Sequence, residues 1–128
     1  MKYLLDTHIA LWLLTDNKQL SHKARQIISS PGHRIYASVA NLWEVAIKHK
    51  KYPDDMPLAS GAMAELLRQS NVLLLPIKLE HIVAAETLPD IHKDPFDRLL
   101  IAQALSEPMR FLTHDEKLAP YSELIEFV

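Results

Sequence analysis

Apolar residues along this chain gather in two kinds of cluster, brief runs of four or five and longer stretches with helical spacing. Lys2 to Leu5 is a brief run, read as a short buried strand that delivers Asp6 at its carboxyl end, and Thr7 to Leu14 has helical composition. Leu20 to Ser29 reads as a second helix stopped by Ser30-Pro31-Gly32. Arg34 to Ala37 is a weak strand, after which Ser38 caps a helix carrying apolar residues at Val39, Leu42, Trp43, Ala46 and Ile47. Tyr52 to Pro57, with two prolines and two aspartates, is a loop. Leu58 to Gln69 is read as a helix, Val72 to Leu75 as a buried strand ended by Pro76, and Leu79 to Leu88 as a helix broken at Pro89. Arg110 to Leu112 predicts a strand running into Thr113-His114-Asp115, and a short helical turn leads to a last strand, Leu124 to Val128. Strands alternating with helices imply a parallel sheet with helices on both faces.

The most informative segment is His92-Lys93-Asp94-Pro95-Phe96-Asp97-Arg98-Leu99-Leu100-Ile101-Ala102-Gln103-Ala104, a polar, acidic approach to a buried helix. Asp94 suits an N-cap, because its carboxylate accepts from backbone N–H groups left free in the first turn. Pro95 has φ preset and no N–H to leave unpaired. Asp97 falls at the capping-box position, where Glu or Gln is usual. From Leu99 to Leu105 only Gln103 is polar, so the helix, running from Pro95 to about Leu105, is covered on more than one side. Two acids in a first turn also complement the positive end of the helix dipole, which is the simpler reading of Asp94. Asp97 shares the inward face of Ile101, Ala104 and Leu105, and an acid facing inward requires a partner or a metal.

Bulk properties narrow the classes. A chain of 128 residues suits one domain, here 1–128, large enough to fold without disulfides or structural zinc. At 48% hydrophobic and 23% charged residues the composition is globular, and two glycines rule out a glycine-rich phosphate loop. The absence of cysteine is compatible with a reducing, cytoplasmic setting. Asp6 and His8 interrupt the apolar N-terminus, so no signal peptide is expected, and Ile9 to Leu14 is too short to span a bilayer. A formal charge of −2 argues against sequence-independent nucleic-acid binding by the whole surface, though not against a local patch.

Ligands of open parallel sheets sit beyond the carboxyl ends of the strands, and that rim is where Asp6, Asp115 and, at a helix start, Asp97 fall. Glu44 is ambiguous. Asn41, Glu44 and Lys48 form a polar stripe, and Glu44 followed four residues later by Lys48 is the favourable order for a solvated surface pair.

Together these residues resemble a family. Leu4-Leu5-Asp6-Thr7-His8, Ser38 with Leu42-Trp43-Glu44, Asp94-Pro95-Phe96-Asp97-Arg98-Leu99-Leu100-Ile101-Ala102-Gln103-Ala104, and Leu112-Thr113-His114-Asp115 look like the PIN-domain ribonucleases of the VapC toxin kind, in order and along essentially the whole chain. The resemblance implies an α/β fold, a three-layer α/β/α sandwich with a mainly parallel central sheet. It also implies that Asp6, Glu44, Asp97 and Asp115 hold Mg²⁺ or Mn²⁺ for RNA cleavage, which moves Glu44 from the surface to the site. Asp94 matches as the helix cap and an outer acid, and Thr7, Ser38 and Thr113 match positions where a hydroxyl lies beside the acids. The implied partners are an RNA substrate, a second copy in a homodimer, and an antitoxin whose C-terminal segment blocks the site, with DNA reached only through that antitoxin.

Oxygen-only ligands suit such hard cations. His8, His92 and His114 neighbour the acids in sequence, but with seven histidines in the chain chance neighbours are expected, and zinc generally wants several converging ligands. Lys48-His49-Lys50-Lys51 is the one dense basic run. It either lines a substrate groove or offsets a helix C-terminus. Ile9 to Leu14 is apolar all round, so a mate or partner is expected to cover part of it. Two other classes compete with the nuclease: a catalytically inactive PIN-like binding module, and a receiver-like phosphoaspartate domain, which would need an isolated acceptor Asp and a late Lys that the chain does not offer.

Overall fold

The computed structural model describes all residues from Met1 to Val128. The elements in order are β1 (Lys2–Leu5), α1 (Thr7–Leu14), α2 (His22–Ser29), β2 (Arg34–Ser38), α3 (Val39–Lys51), α4 (Ser60–Gln69), β3 (Leu73–Leu75), α5 (Leu79–Thr87), α6 (Pro95–Ser106), β4 (Arg110–Thr113), a 3₁₀ helix (Glu116–Tyr121) and β5 (Ile125–Phe127). The five strands form one sheet in the order β3-β2-β1-β4-β5, parallel at every pairing. No helix is long and apolar enough to cross a membrane.

Strand period two divides the core into two layers. Tyr3, Leu5, Ile35, Ala37 and Leu112 point to one side, where they pack with Ile9, Ala24, Met63 and Leu67 of α1, α2 and α4. Leu4 and Phe111 point to the other, against Leu100, Ile101 and Ala104 of α6. This is the expected three-layer α/β/α sandwich. Because all strands run the same way, their carboxyl ends share one rim, and Asp6, Ser38 and Thr113 stand on it together.

Several local expectations change. Ser21 accepts from the Ala24 N–H and starts α2 at His22, so Leu20 lies before the helix in the core. The Val72 to Leu75 segment is not wholly buried: β3 is an edge strand, with Leu73 and Leu74 exposed. Leu11 to Leu14 pack partly buried against the chain's own core, which covers part of the apolar surface of α1. The largest departure is α3, whose predicted apolar stripe is only partly covered, with Leu42, Ala46 and Ile47 half-buried. Val39 is 40% and Trp43 60% exposed, whereas Asn41 and Glu44 are buried.

Candidate functional site

At the N-terminus of α6, Asp94 Oδ1 accepts from the backbone N–H of Phe96 at 2.8 Å and of Asp97 at 3.2 Å, and Pro95 occupies the first turn. The cap forms as its sequence predicts. The capping box does not, because the Asp97 carboxylate turns to His92 instead, with Nε2 of His92 2.8 Å from Oδ2. His92 is itself held in place. Its N–H donates to the Tyr121 hydroxyl at 2.8 Å, and the Arg98 guanidinium ties down the preceding loop through the carbonyls of Ala85, Leu88 and Pro89, at 2.8, 3.0 and 2.9 Å.

Asp6 follows β1 directly. Its Oδ2 accepts from the Thr113 hydroxyl at 2.6 Å, and the same oxygen of Thr113 accepts from the Asp115 N–H at 3.0 Å, so one threonine fixes the ends of two neighbouring strands. Asp115 caps the 3₁₀ helix through the Lys117 N–H, and its Oδ2 lies 3.9 Å from Nε2 of His92. On α3, Glu44 is 6% exposed and accepts from the Thr7 hydroxyl at 2.7 Å and from the Lys48 ammonium at 2.7 Å. Asn41 buttresses this arrangement, donating to Thr7 Oγ1 at 2.8 Å and accepting from the Ser38 N–H at 2.6 Å. The Ser38 hydroxyl accepts from the Ala40 N–H as the α3 cap and bonds none of the acids; it is the Ser38 backbone N–H that is linked through Asn41 and Thr7 to Glu44.

These segments enclose a cleft of about 330 Å³ lined by Asp6, Glu44, Asp94, Asp97 and Asp115, with Lys48 and the rings of His8, Trp12 and His114. All four acids of the motif pattern therefore meet, and Asp94 joins them. Thr7 and Thr113 bond the acids directly. Asn41, read from periodicity as part of a solvated stripe, is fully buried scaffolding, and the Lys48 pair that suggested a surface helix exists but faces the cleft. His92 carried too weak a sequence signal to separate it from the other histidines; its position depends on non-local contacts to Tyr121 and on the loop that Arg98 anchors. The basic run divides between its two readings. Lys48 reaches the cleft, whereas Lys50 and Lys51 are exposed at the C-terminal end of α3, where cations offset the dipole.

Crowding shows in the proton affinities. Burial, then the charges of Asp6 and Asp94, push the Asp97 carboxyl from near 3.8 up to about 7, against the lowering effect of His92. Burial also raises Asp6, offset in part by the Thr113 hydrogen bond and the nearby His8. One ligand atom each from His92, Asp97 and Asp115 lies within 4.8 Å of the others. An array of carboxylates that resists full ionisation is a concentrated receptor for positive charge.

No curated protein matches this sequence. Among solved structures, a chain of VapBC2 from Rickettsia felis bound to a promoter DNA fragment superposes with a TM-score of 0.72 at 16% identity, covering 98% of this chain and 96% of that one. A chain of a toxin–antitoxin complex from Klebsiella pneumoniae gives 0.63 at 17% identity, covering 98% and 99%. At such identities these likenesses establish the fold. The sequence profile of the PIN domain matches residues 3–124, a span that takes in β1, α6, β4 and each of the four acids, and by that match the chain belongs to the PIN domain family.

Proposed function

We propose that this chain is a divalent-metal-dependent endoribonuclease, the toxin of a toxin–antitoxin pair of the VapC kind. The observation that carries the reading is the meeting of Asp6, Glu44, Asp97 and Asp115, from four separate segments, in one cleft where burial, and then the charges of Asp6 and Asp94, push Asp97 up to about 7. The donor set fits Mg²⁺ or Mn²⁺, since the four motif acids offer only oxygen and their mutual repulsion is what a hard cation relieves. Asp6, Glu44, Asp97 and Asp115 would hold it. Bound there, the ion supplies a water of lowered pKa and neutralises charge on a phosphodiester.

The chain's own groups provide the rest. Thr113 and Thr7 fix the rotamers of Asp6 and Glu44, and His92 orients Asp97. Lys48 brings the one ammonium group of the cleft, placed to meet a phosphate once its carboxylate partner is otherwise engaged. The two structural neighbours, a VapBC2 assembly on promoter DNA and a toxin–antitoxin complex, support the regulatory context. In that context DNA is reached through the antitoxin and RNA is cut in the cytoplasm.

Two apolar surfaces support the partner reading. Val39, Leu42, Trp43 and Ala46 of α3 line a shallow groove with Ser60, Gly61 and Ala64 of α4, which suits an amphipathic antitoxin segment. Leu79, Ile82 and Val83 of α5 are exposed and suit a second copy. The test is incubation of the purified chain with total RNA in Mg²⁺, Mn²⁺ or chelator. Cleavage that requires the metal supports the reading. Partner binding without cleavage would instead describe an inactive PIN-like module.

A further inference from the structure

The acids leave part of their cleft unexplained. Trp12 is its single hydrophobic lining residue, and it stands in a row of rings that leads outward: His8 lies 5.9 Å from Trp12 between centroids, Trp12 is edge-on to His114 at 5.2 Å, and His114 stacks on Phe127 at 5.5 Å. The row is not core. His8, His114 and Phe127 are exposed, and Trp12 packs against the core on one side while lining the cleft on the other. Nor is it loose, because Nδ1 of His114 lies 2.9 Å from the Val128 carbonyl, which sets the ring's orientation, and α1 fixes Trp12. Rigid, amphipathic rings beside a polar site lose little conformational entropy on contact.

Charge then narrows the ligand. The chain is net negative, the cleft is acidic, and its one lysine is paired with Glu44, so phosphate contacts alone hold a polyanion poorly. Beyond what the cation and Lys48 offer a phosphate, affinity needs a contribution other than charge. Unpaired nucleobases offer this, since every base has a face that stacks on an aromatic ring. In a duplex both faces are covered.

Resting on the nuclease reading above, we infer that Trp12, with His114 edge-on beside it, is a stacking platform for an unpaired base adjoining the scissile phosphate. Trp12 is thus a substrate-binding residue and takes no part in the hydrolytic step.

The experiment compares the parent, Trp12→Ala and Trp12→Phe on a single-stranded oligoribonucleotide of about ten nucleotides. Trp12→Ala should raise KM roughly tenfold with kcat within about threefold, and Trp12→Phe should retain most of the parent's KM. Tryptophan fluorescence is titrated in parallel, with Mg²⁺ and again in chelator, using the oligoribonucleotide and an inorganic polyphosphate of similar charge. Quenching of the parent by the oligonucleotide in either condition, absent in Trp12→Phe and absent with polyphosphate, supports the platform. Should Trp12→Ala fail to fold, the fluorescence comparison of parent with Trp12→Phe decides alone. A parent that cleaves while Trp12→Ala shows an unchanged KM, or while Trp12 is unquenched in both conditions or quenched equally by polyphosphate, overturns this inference and leaves the nuclease reading standing. A parent that neither cleaves nor binds RNA overturns both. Quenching by a protein partner alone, with RNA without effect, assigns the rings to a protein interface and also overturns it.

Discussion

Helices α3 and α6 each bring an acid to the same cleft, and they do so by opposite means. Helix α6 is organised as its sequence suggests: capped by Asp94, opened by Pro95 and buried along Leu100 to Ala104, it leaves Asp97 in the first turn at the mouth of the cleft. Helix α3 covers a mixed face, burying Asn41 and Glu44 beside Ala40 and Val45 and leaving the apolar Val39 and Trp43 exposed. The acids differ accordingly. Glu44 is met by two donors, Thr7 and Lys48, whereas Asp97 has His92 as its hydrogen-bond partner and two carboxylates, Asp6 and Asp94, pressing on it. An amphipathic pattern marks the covered face of a helix that only packs; where a helix also lines a polar site, polar residues are covered along with apolar ones.

The largest expected effect ignores that difference. Asp97→Asn and Glu44→Gln should each lower RNA cleavage on the order of a hundredfold or more, as should Asp6→Asn and Asp115→Asn, because each acid shares the load of the same charge. Asp94→Asn should cost less, since Asn still caps α6. Full activity of Glu44→Gln, measured on the same RNA as Asp97→Asn, would break the comparison and leave α3 as scaffolding alone.

Stability should separate the two. In chelator at neutral pH, Asp97→Asn removes one of several crowded charges and should raise Tm above the parent's, whereas Glu44→Gln leaves Lys48 without its counter-ion and should lower stability by about 1–3 kcal/mol. Thermal melts of the three proteins read the opposite signs directly.

A pH series should sharpen this. Between about 4 and about 7 native Asp97 keeps a proton that the unfolded chain has released, so the native state binds more protons and metal-free stability falls as pH rises, levelling above about 7. Asp97→Asn should show a shallower fall over that window, and Glu44→Gln should retain most of the parent's. A parent Tm that rises from pH 5 to pH 7 in chelator would contradict the crowding. The smallest effect belongs to the outward face of α3. Trp43→Ser, at a position 60% exposed, should change the stability of the isolated chain by no more than about 0.5 kcal/mol in denaturant melts.

Much of this molecule is legible in its sequence where the causes are local. The cap, proline and apolar run specify α6, and the unbroken apolar run Tyr3 to Leu5 marks β1 as a strand covered on both faces. The parallel order then carries Asp6, Thr113 and Asp115 to one rim. The orientation of α3 is not legible in this way, because periodicity separates two faces without saying which is covered, and a Glu-Lys pair four residues apart looks the same in solvent as in a cleft. Only the resemblance to a family moved Glu44 inward. The partial exposure of β3 depends on its edge position in the sheet, and the role of His92 depends on Tyr121, far along the chain, and on Arg98 folding back onto the carbonyls at the end of α5. None of these is a short-range property.

The central claim is that the four acids form one cation site, and the most direct test is the shift in Tm on adding Mg²⁺ at constant ionic strength, for the parent and for Asp97→Asn. An ion bound only by the native state stabilises by RT ln(1 + [L]/Kd), about 2.7 kcal/mol at a hundred times Kd. The account predicts that the parent gains several degrees and the variant, having lost a ligand and a charge, much less, so that the order of the two proteins in chelator narrows or reverses. Equal gains for both would contradict it, since Asp97 would then have no part in holding the ion.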